Sequence, residues 1–243
     1  LENCTLTILD GTGQSPPYYQ EAAFFHLKSP PGSETSLMAN SVMPPSVSMN
    51  LKHCVARGEA DLLMLEDLQP VDLTWENGLL ATPERLIVAN GGEQDNPQPT
   101  YVDLDLRHLT INSAAGLALV TAGEANPHQP VLRIDCGDSI LIGAAGSPLI
   151  EQVGTATSEE FRRSFSWDGA RVFYEGYSIF WKISAEGGRN EPDVMAMPEW
   201  QSFWGEQNET LPRWGVVQWR TALPASVPYQ AQVPADYQLD PTP

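Results

Sequence analysis

Asp103-Leu104-Asp105 sets two carboxylates two residues apart, and in an extended chain that spacing puts both on one face. Such a pair can hold a hard cation or act as general acid and base. Asp135 and Asp138, in the run DCGD, supply a second pair, expected one structural repeat further on. The simpler account of both pairs is the solvated outer face of an acidic protein. Glu159-Glu160 before Arg162-Arg163 reads the same way, as surface ion pairing worth little. Other chemistries lack their residues. GTGQ and NGGE have neither the lysine nor the strand–helix setting of a phosphate loop. GAAGSPL contains no G-x-S-x-G elbow.

The three cysteines, Cys4, Cys54 and Cys136, exclude a small disulfide-stapled domain by their low density. No C-x-x-C is present, and His26, His53, His108 and His128 show no ligand spacing, so no metal site is expected from them. None of the cysteines sits in a His/Asn constellation or at a helix start, which leaves no candidate nucleophile. What the cysteines share is their setting. Leu1-Glu2-Asn3-Cys4, Leu51-Lys52-His53-Cys54, Leu106-Arg107-His108-Leu109 and Arg133-Ile134-Asp135-Cys136 each lead through polar residues into a Cys or Leu and then a β-rich run. Trp75-Glu76-Asn77-Gly78 is a looser copy. From Cys54 on, the copies are spaced by about 23, 32 and 27 residues, the irregular period of a stacked β repeat.

The elements that would position these residues are short strands. No stretch keeps a 3.6-residue apolar period over three turns, while 21 Pro and 19 Gly break the chain into short runs. In TYVDLDLRHLTINS, Val102, Leu104 and Leu106 fall on one parity and Leu109 and Ile111 on the other, so a bend is expected around Arg107-His108. The expected fold is all-β: a right-handed parallel β-helix in which equivalent positions of successive coils stack about 4.8 Å apart. Cys4, Cys54, Leu109 and Cys136 then form one inward column, cysteine serving as a small hydrophobe. Asn3, His53, His108 and Asp135 would point out at the turn. Residues 1–155 are assigned to the coils, with insertions at 11–20 and 29–48 as corner loops.

Residues 156–222 are dense in aromatics and read as a cap over the open end of the stack. One helix is expected there, Glu199 to Glu206, carrying Trp200, Phe203 and Trp204 at i, i+3 and i+4. Trp200, Trp204 and Trp214 could alternatively stack on sugar rings. The tail 223–243 is proline-rich and reads as extended.

The balance of 13 Lys and Arg against 31 Asp and Glu, a net charge of −18, excludes a nucleic-acid partner. No apolar run reaches the roughly 20 residues of a transmembrane helix. Leu1 opens inside a strand-like run without an initiator Met, so a longer parent protein is expected, with targeting signals upstream. The expected partner is a protein or carbohydrate ligand.

Four stretches, VDLTWENGLLATPERLIVANGG, LDLRHLTINSAAGLALV, IDCGDSILIGAAGSPLIEQVG and FSWDGARVFYEGYSIFWKI, resemble the β-helix regions that follow the kinase domain in certain large bacterial serine/threonine protein kinases. The resemblance covers most of 1–220. It implies a pectate-lyase-like superhelix that is the non-kinase part of its parent, a non-catalytic binding or scaffold module, best placed outside the cytoplasm on a membrane-anchored protein. No glycine-rich kinase loop, H-R-D or D-F-G occurs. The fold is also similar to that of polysaccharide hydrolases and lyases. The hydrolase motifs N-T-D, D-D, G-H-G and R-I-K have no usable counterpart here. A calcium-dependent lyase would be imitated by Asp103, Asp105, Arg107 and Arg133; the enzyme alternative as a whole would use Asp103, Asp105, Asp135 and Asp138, with Ca2+ as cofactor. The alternative expectation is therefore a carbohydrate-active enzyme.

Overall fold

The computed structural model describes residues 1–9, 22–28, 46–66, 70–91, 100–122, 129–222 and 227–241. The expected loops at 11–20 and 29–48 fall almost wholly outside them, as does His128. The chain is mostly β and forms two sheets whose strands pair in parallel, apart from one antiparallel strand at the end.

The eleven-stranded sheet contains β1 (Thr5–Ile8), β3 (Val47–Lys52), β4 (Val55–Gly58), β6 (Val71–Thr82), β8 (Tyr101–Ser113), β10 (Val131–Gly137), β11 (Ile140–Ile142), β13 (Phe165–Ala170), β14 (Phe173–Glu175), β17 (Glu209–Thr210) and β18 (Arg213–Trp214). The seven-stranded sheet contains β2 (Ala23–Leu27), β5 (Asp61–Leu65), β7 (Ile87–Asn90), β9 (Ala118–Thr121), β12 (Pro148–Val153), β15 (Ile179–Ser184) and β16 (Asp193–Met195). The chain alternates between them, and each return adds a parallel strand beside the previous one.

The larger sheet is folded along a line of left-handed residues. Asn3, His53, Asn77, His108, Asp138, Arg171 and Leu211 all have φ between 51° and 56°. One residue in that conformation shifts side-chain parity, so Leu106 and Leu109 both face the core although three apart. The bend expected at Arg107-His108 is this corner. Asn and Asp suit it because they tolerate left-handed backbone better than most side chains.

Inside, apolar side chains stack in rows. Val71, Val102, Leu132 and Phe165 form one, and Leu73, Leu104, Ile134 and Trp167 the next. Leu63, Ile87, Ala118, Ile150 and Trp181 line the opposite sheet. Each residue is buried by the strands on either side of its own, so no circuit holds a core alone.

The expected cysteine column requires correction. Cys4 and Cys54 are stacked neighbours, and their row continues through Gly78 to Leu109. Cys136 is in another row, paired with Leu106, while Ser139 stands beside Leu109. The corner sets the alignment: Asp138 occupies it in its circuit, three residues after the position inferred from Asp135. Gly78 is explained by its own circuit, since a Cβ there would come 2.2 Å from Trp75 Nε1 and 2.6 Å from the Cys54 carbonyl oxygen.

At the far end, α1 (Ser158–Arg163) and α2 (Met197–Asn208) accompany an aromatic cluster. α1 begins with a capping box between Thr157 and Glu160. α2 is longer than expected, and its helical backbone breaks at Gly205, whose φ is 70°. The tail is not simply extended. Residues 227–241 contain two 3-10 turns, Tyr229–Ala231 and Pro234–Tyr237, and dock on the larger sheet. Arg57 donates to the Gln232 carbonyl at 2.7 Å, and Asn112 to the Tyr237 hydroxyl at 2.7 Å.

Candidate functional site

Asp103, Asp105 and Asp135 do meet on one outer face. Asp135 is paired in register with Asp105, and Arg133 with Asp103. Asp168 follows Asp135 on the next strand. Arg107 reaches across this row, donating to Asp105 Oδ1 at 2.8 Å and also to Asp135. Burial raises the Asp135 pKa, and Arg107 opposes this while Asp168 and Asp105 crowd it further. Arg133 lies 3.5 Å from Asp103 and over the Tyr101 ring. Asp138 is elsewhere, at the corner, where Arg171 grips both its oxygens at 2.5 and 2.6 Å and holds its pKa down. Of the four acids, three share a wall and one does not, and each has a guanidinium partner. Among the described residues, no group of three or more His, Cys, Asp or Glu side chains is placed to hold a metal ion. Arg107 occupies the position between Asp105 and Asp135 that a cation would need.

The tryptophans named as the alternative sugar platform separate as well. Trp200 is 0 % exposed, so neither ring face is open to a ligand. Trp204 stacks on Trp181 at 5.8 Å. Trp214 alone is open, at 58 % exposed, and it stands apart on the short strand β18.

A cleft of about 380 Å³ lies on the outer face of the seven-stranded sheet, lined by Asp61, Met64, Glu66, Glu84, Arg85, Val88, Asn90 and Leu119. Its floor comes from three circuits, because Met64 pairs with Val88 and Val88 with Leu119. The same row begins at His26 and continues to Glu151 and Lys182. On one side, Glu66 is held by Lys28 at 2.6 Å and His26 at 2.8 Å. On the other, Glu151 takes Arg85 and Lys182, each at 2.8 Å. Burial works against the Glu151 charge, yet these two cations keep its pKa low.

Asp61 and Glu84 form the third side. Asp61 is 8 % exposed and accepts from the Arg85 backbone N–H at 2.9 Å. Burial, with the neighbouring Glu84 charge adding to it, pushes its pKa up to about 6. Among the described residues, the Glu84 carboxylate has no hydrogen-bonding partner. Sequence reasoning missed this cleft, since Asp61, Glu84 and Leu119 belong to different circuits and only pairing register joins them.

Two buried polar residues were also missed. Glu209 accepts from Trp167 Nε1 at 2.6 Å, Trp200 Nε1 at 2.8 Å and the Tyr174 hydroxyl at 3.1 Å. Gln152 accepts from Trp181 Nε1 at 2.9 Å and donates to Gln129, the Phe161 carbonyl and Ser164. Both let polar ring edges of Trp167, Trp200 and Trp181 be buried with an acceptor for each indole N–H.

No protein-family model, curated protein or solved structure matches the chain.

Proposed function

We propose that the chain is a non-catalytic binding module built on a right-handed parallel β-helix, and that the cleft over Met64, Val88 and Leu119 takes a peptide segment carrying apolar and cationic side chains. The handedness follows from the strong preference of parallel crossover connections for the right-handed sense. The likeness of four of its segments to the region after the kinase domain in large bacterial kinases supports a place within a larger receptor-like protein.

The observation that carries the ligand class is the composition of the cleft. Three carboxylates, Asp61, Glu66 and Glu84, and one guanidinium, Arg85, surround an apolar floor. With a net charge of −18 on the chain, an anionic polysaccharide meets repulsion at this site and a cation meets attraction. Titration of the full chain with a short Lys/Leu peptide, a neutral oligosaccharide and an oligogalacturonate tests this. Only the basic peptide should give heat, and Glu84→Gln should weaken it about tenfold. Binding of the oligogalacturonate instead would overturn the reading.

A second reading rests on Asp61. A carboxyl whose pKa burial raises to about 6, beside Glu84 in a cleft, suits an acid–base pair, which favours a carbohydrate-active enzyme. Hydrolysis of an oligosaccharide that stops in Asp61→Asn would select it.

A further inference from the structure

The row Cys4–Cys54 carries a chemistry that packing does not require. Cys4 Sγ and Cys54 Sγ are 3.0 Å apart. Nonbonded heavy atoms ordinarily stay about 3.5–4 Å apart, so the sulfurs are already drawn together. Both residues follow a corner residue of the same backbone conformation, Asn3 and His53, each with φ 51°. They occupy matched places on adjacent parallel strands, about 4.8 Å apart, within the Cα separation of about 4.4–6.8 Å that a disulfide spans. Bond formation needs the sulfurs to close by about 1 Å. The first circuit can supply that movement, because among the described residues β1 pairs with β4 alone. Cys4 is half-buried and reachable, whereas Cys54 is 1 % exposed.

We propose that Cys4 and Cys54 are an oxidisable pair that closes to a disulfide by exchange with a small-molecule disulfide such as glutathione disulfide. The Cys4 thiolate attacks one sulfur of the reagent and expels one glutathione thiolate. Cys54 then attacks the Cys4 sulfur of the mixed disulfide and expels the second. The two protein sulfurs are oxidised, the reagent is reduced to two thiols, and the two thiol protons end on the released glutathione. The Cys4 thiol donates to Cys54 Sγ, which with burial holds its pKa above the ordinary value, so exchange quickens as pH rises. Cys136 is the internal control. It is 0 % exposed, burial pushes its pKa up to about 12, and its row is a different one.

The consequence is a staple on the first circuit. The bond ties residues 50 positions apart, fastening a strand that among the described residues holds by one ladder. Treating the full chain with glutathione disulfide, followed by intact mass and peptide mapping, tests the proposal. The expected product has lost two hydrogens, retains no glutathione, links the Cys4 peptide to the Cys54 peptide and leaves Cys136 as a thiol. Amide exchange over Thr5–Ile8 should slow at least tenfold and recover with dithiothreitol. Cys54→Ser should instead keep a lasting glutathione adduct on Cys4. A lasting adduct on the native chain, a link to Cys136, an unreactive pair, or rapid release of glutathione from Cys54→Ser would each overturn the proposal.

Discussion

Trp167 donates its indole N–H to the Glu209 carboxylate at 2.6 Å, tying β13 to the two-residue strand β17 inside the aromatic end of the stack. Trp200 and Tyr174 share the same acceptor. Glu209→Ala would leave three buried donors without a partner and is expected to cost on the order of 3–5 kcal/mol in urea unfolding. Burial raises the Glu209 pKa against the pull of its three donors, so the neutral isostere Glu209→Gln should cost much less, about 1 kcal/mol. Equal losses for the two variants would refute the account.

Asp61 gives stability a pH dependence of defined sign. Its carboxyl rises from 3.8 to about 6 on folding, so the folded state is favoured while it is protonated. That contribution is complete below the ordinary aspartate range and disappears as pH climbs through about 6. Asp61→Asn, which keeps the acceptor for the Arg85 N–H, should therefore be the more stable form above pH 6 by on the order of 1–2 kcal/mol. Below about pH 4 the two should converge. Melting curves at matched pH values decide this.

Leu211 occupies the left-handed corner at φ 51° with its side chain 69 % exposed. Leucine pays for that backbone without a packing return. Leu211→Asn should raise stability by about 0.5–1 kcal/mol, and Asn77→Val should lower it by about 1–2 kcal/mol. Chemical denaturation of both variants would show whether the signs are opposite.

Arg107 separates the carboxylates of Asp105 and Asp135 on the outer wall. Without it they face one another and Asp168. Arg107→Ala should cost about 1 kcal/mol at low ionic strength, and most of that should return at about 1 M salt. A loss insensitive to salt would place the effect in packing instead.

The sequence made some of this legible and hid the rest for physical reasons. The parity slip in β8 exposed the corner because a left-handed residue leaves two inward leucines three apart, Leu106 and Leu109. Asn77-Gly78 was visible as a looser copy through its polar residues leading into a β-rich run. Cys136 misled, since a cysteine resembles another cysteine more than Ser139 resembles Leu109, and residue identity is weaker than backbone conformation in setting register. Glu209 could not be foreseen: it follows a helix, 42 residues from Trp167, and only the fold brings them together. The cleft was hidden because Met64, Val88 and Leu119 look like alternating strand residues in their own circuits. Their common place on one wall depends on pairing alone.

The corner also acts as a frame mark. The chain from Leu65 to Val71 is short and that from Thr121 to Val131 longer, yet the rows before and after each segment keep their partners. An insertion between the sheets is absorbed before the next left-handed residue restarts the count, much as punctuation restores a reading frame. Such a scaffold can vary the lengths of its connections while every core row stays in phase.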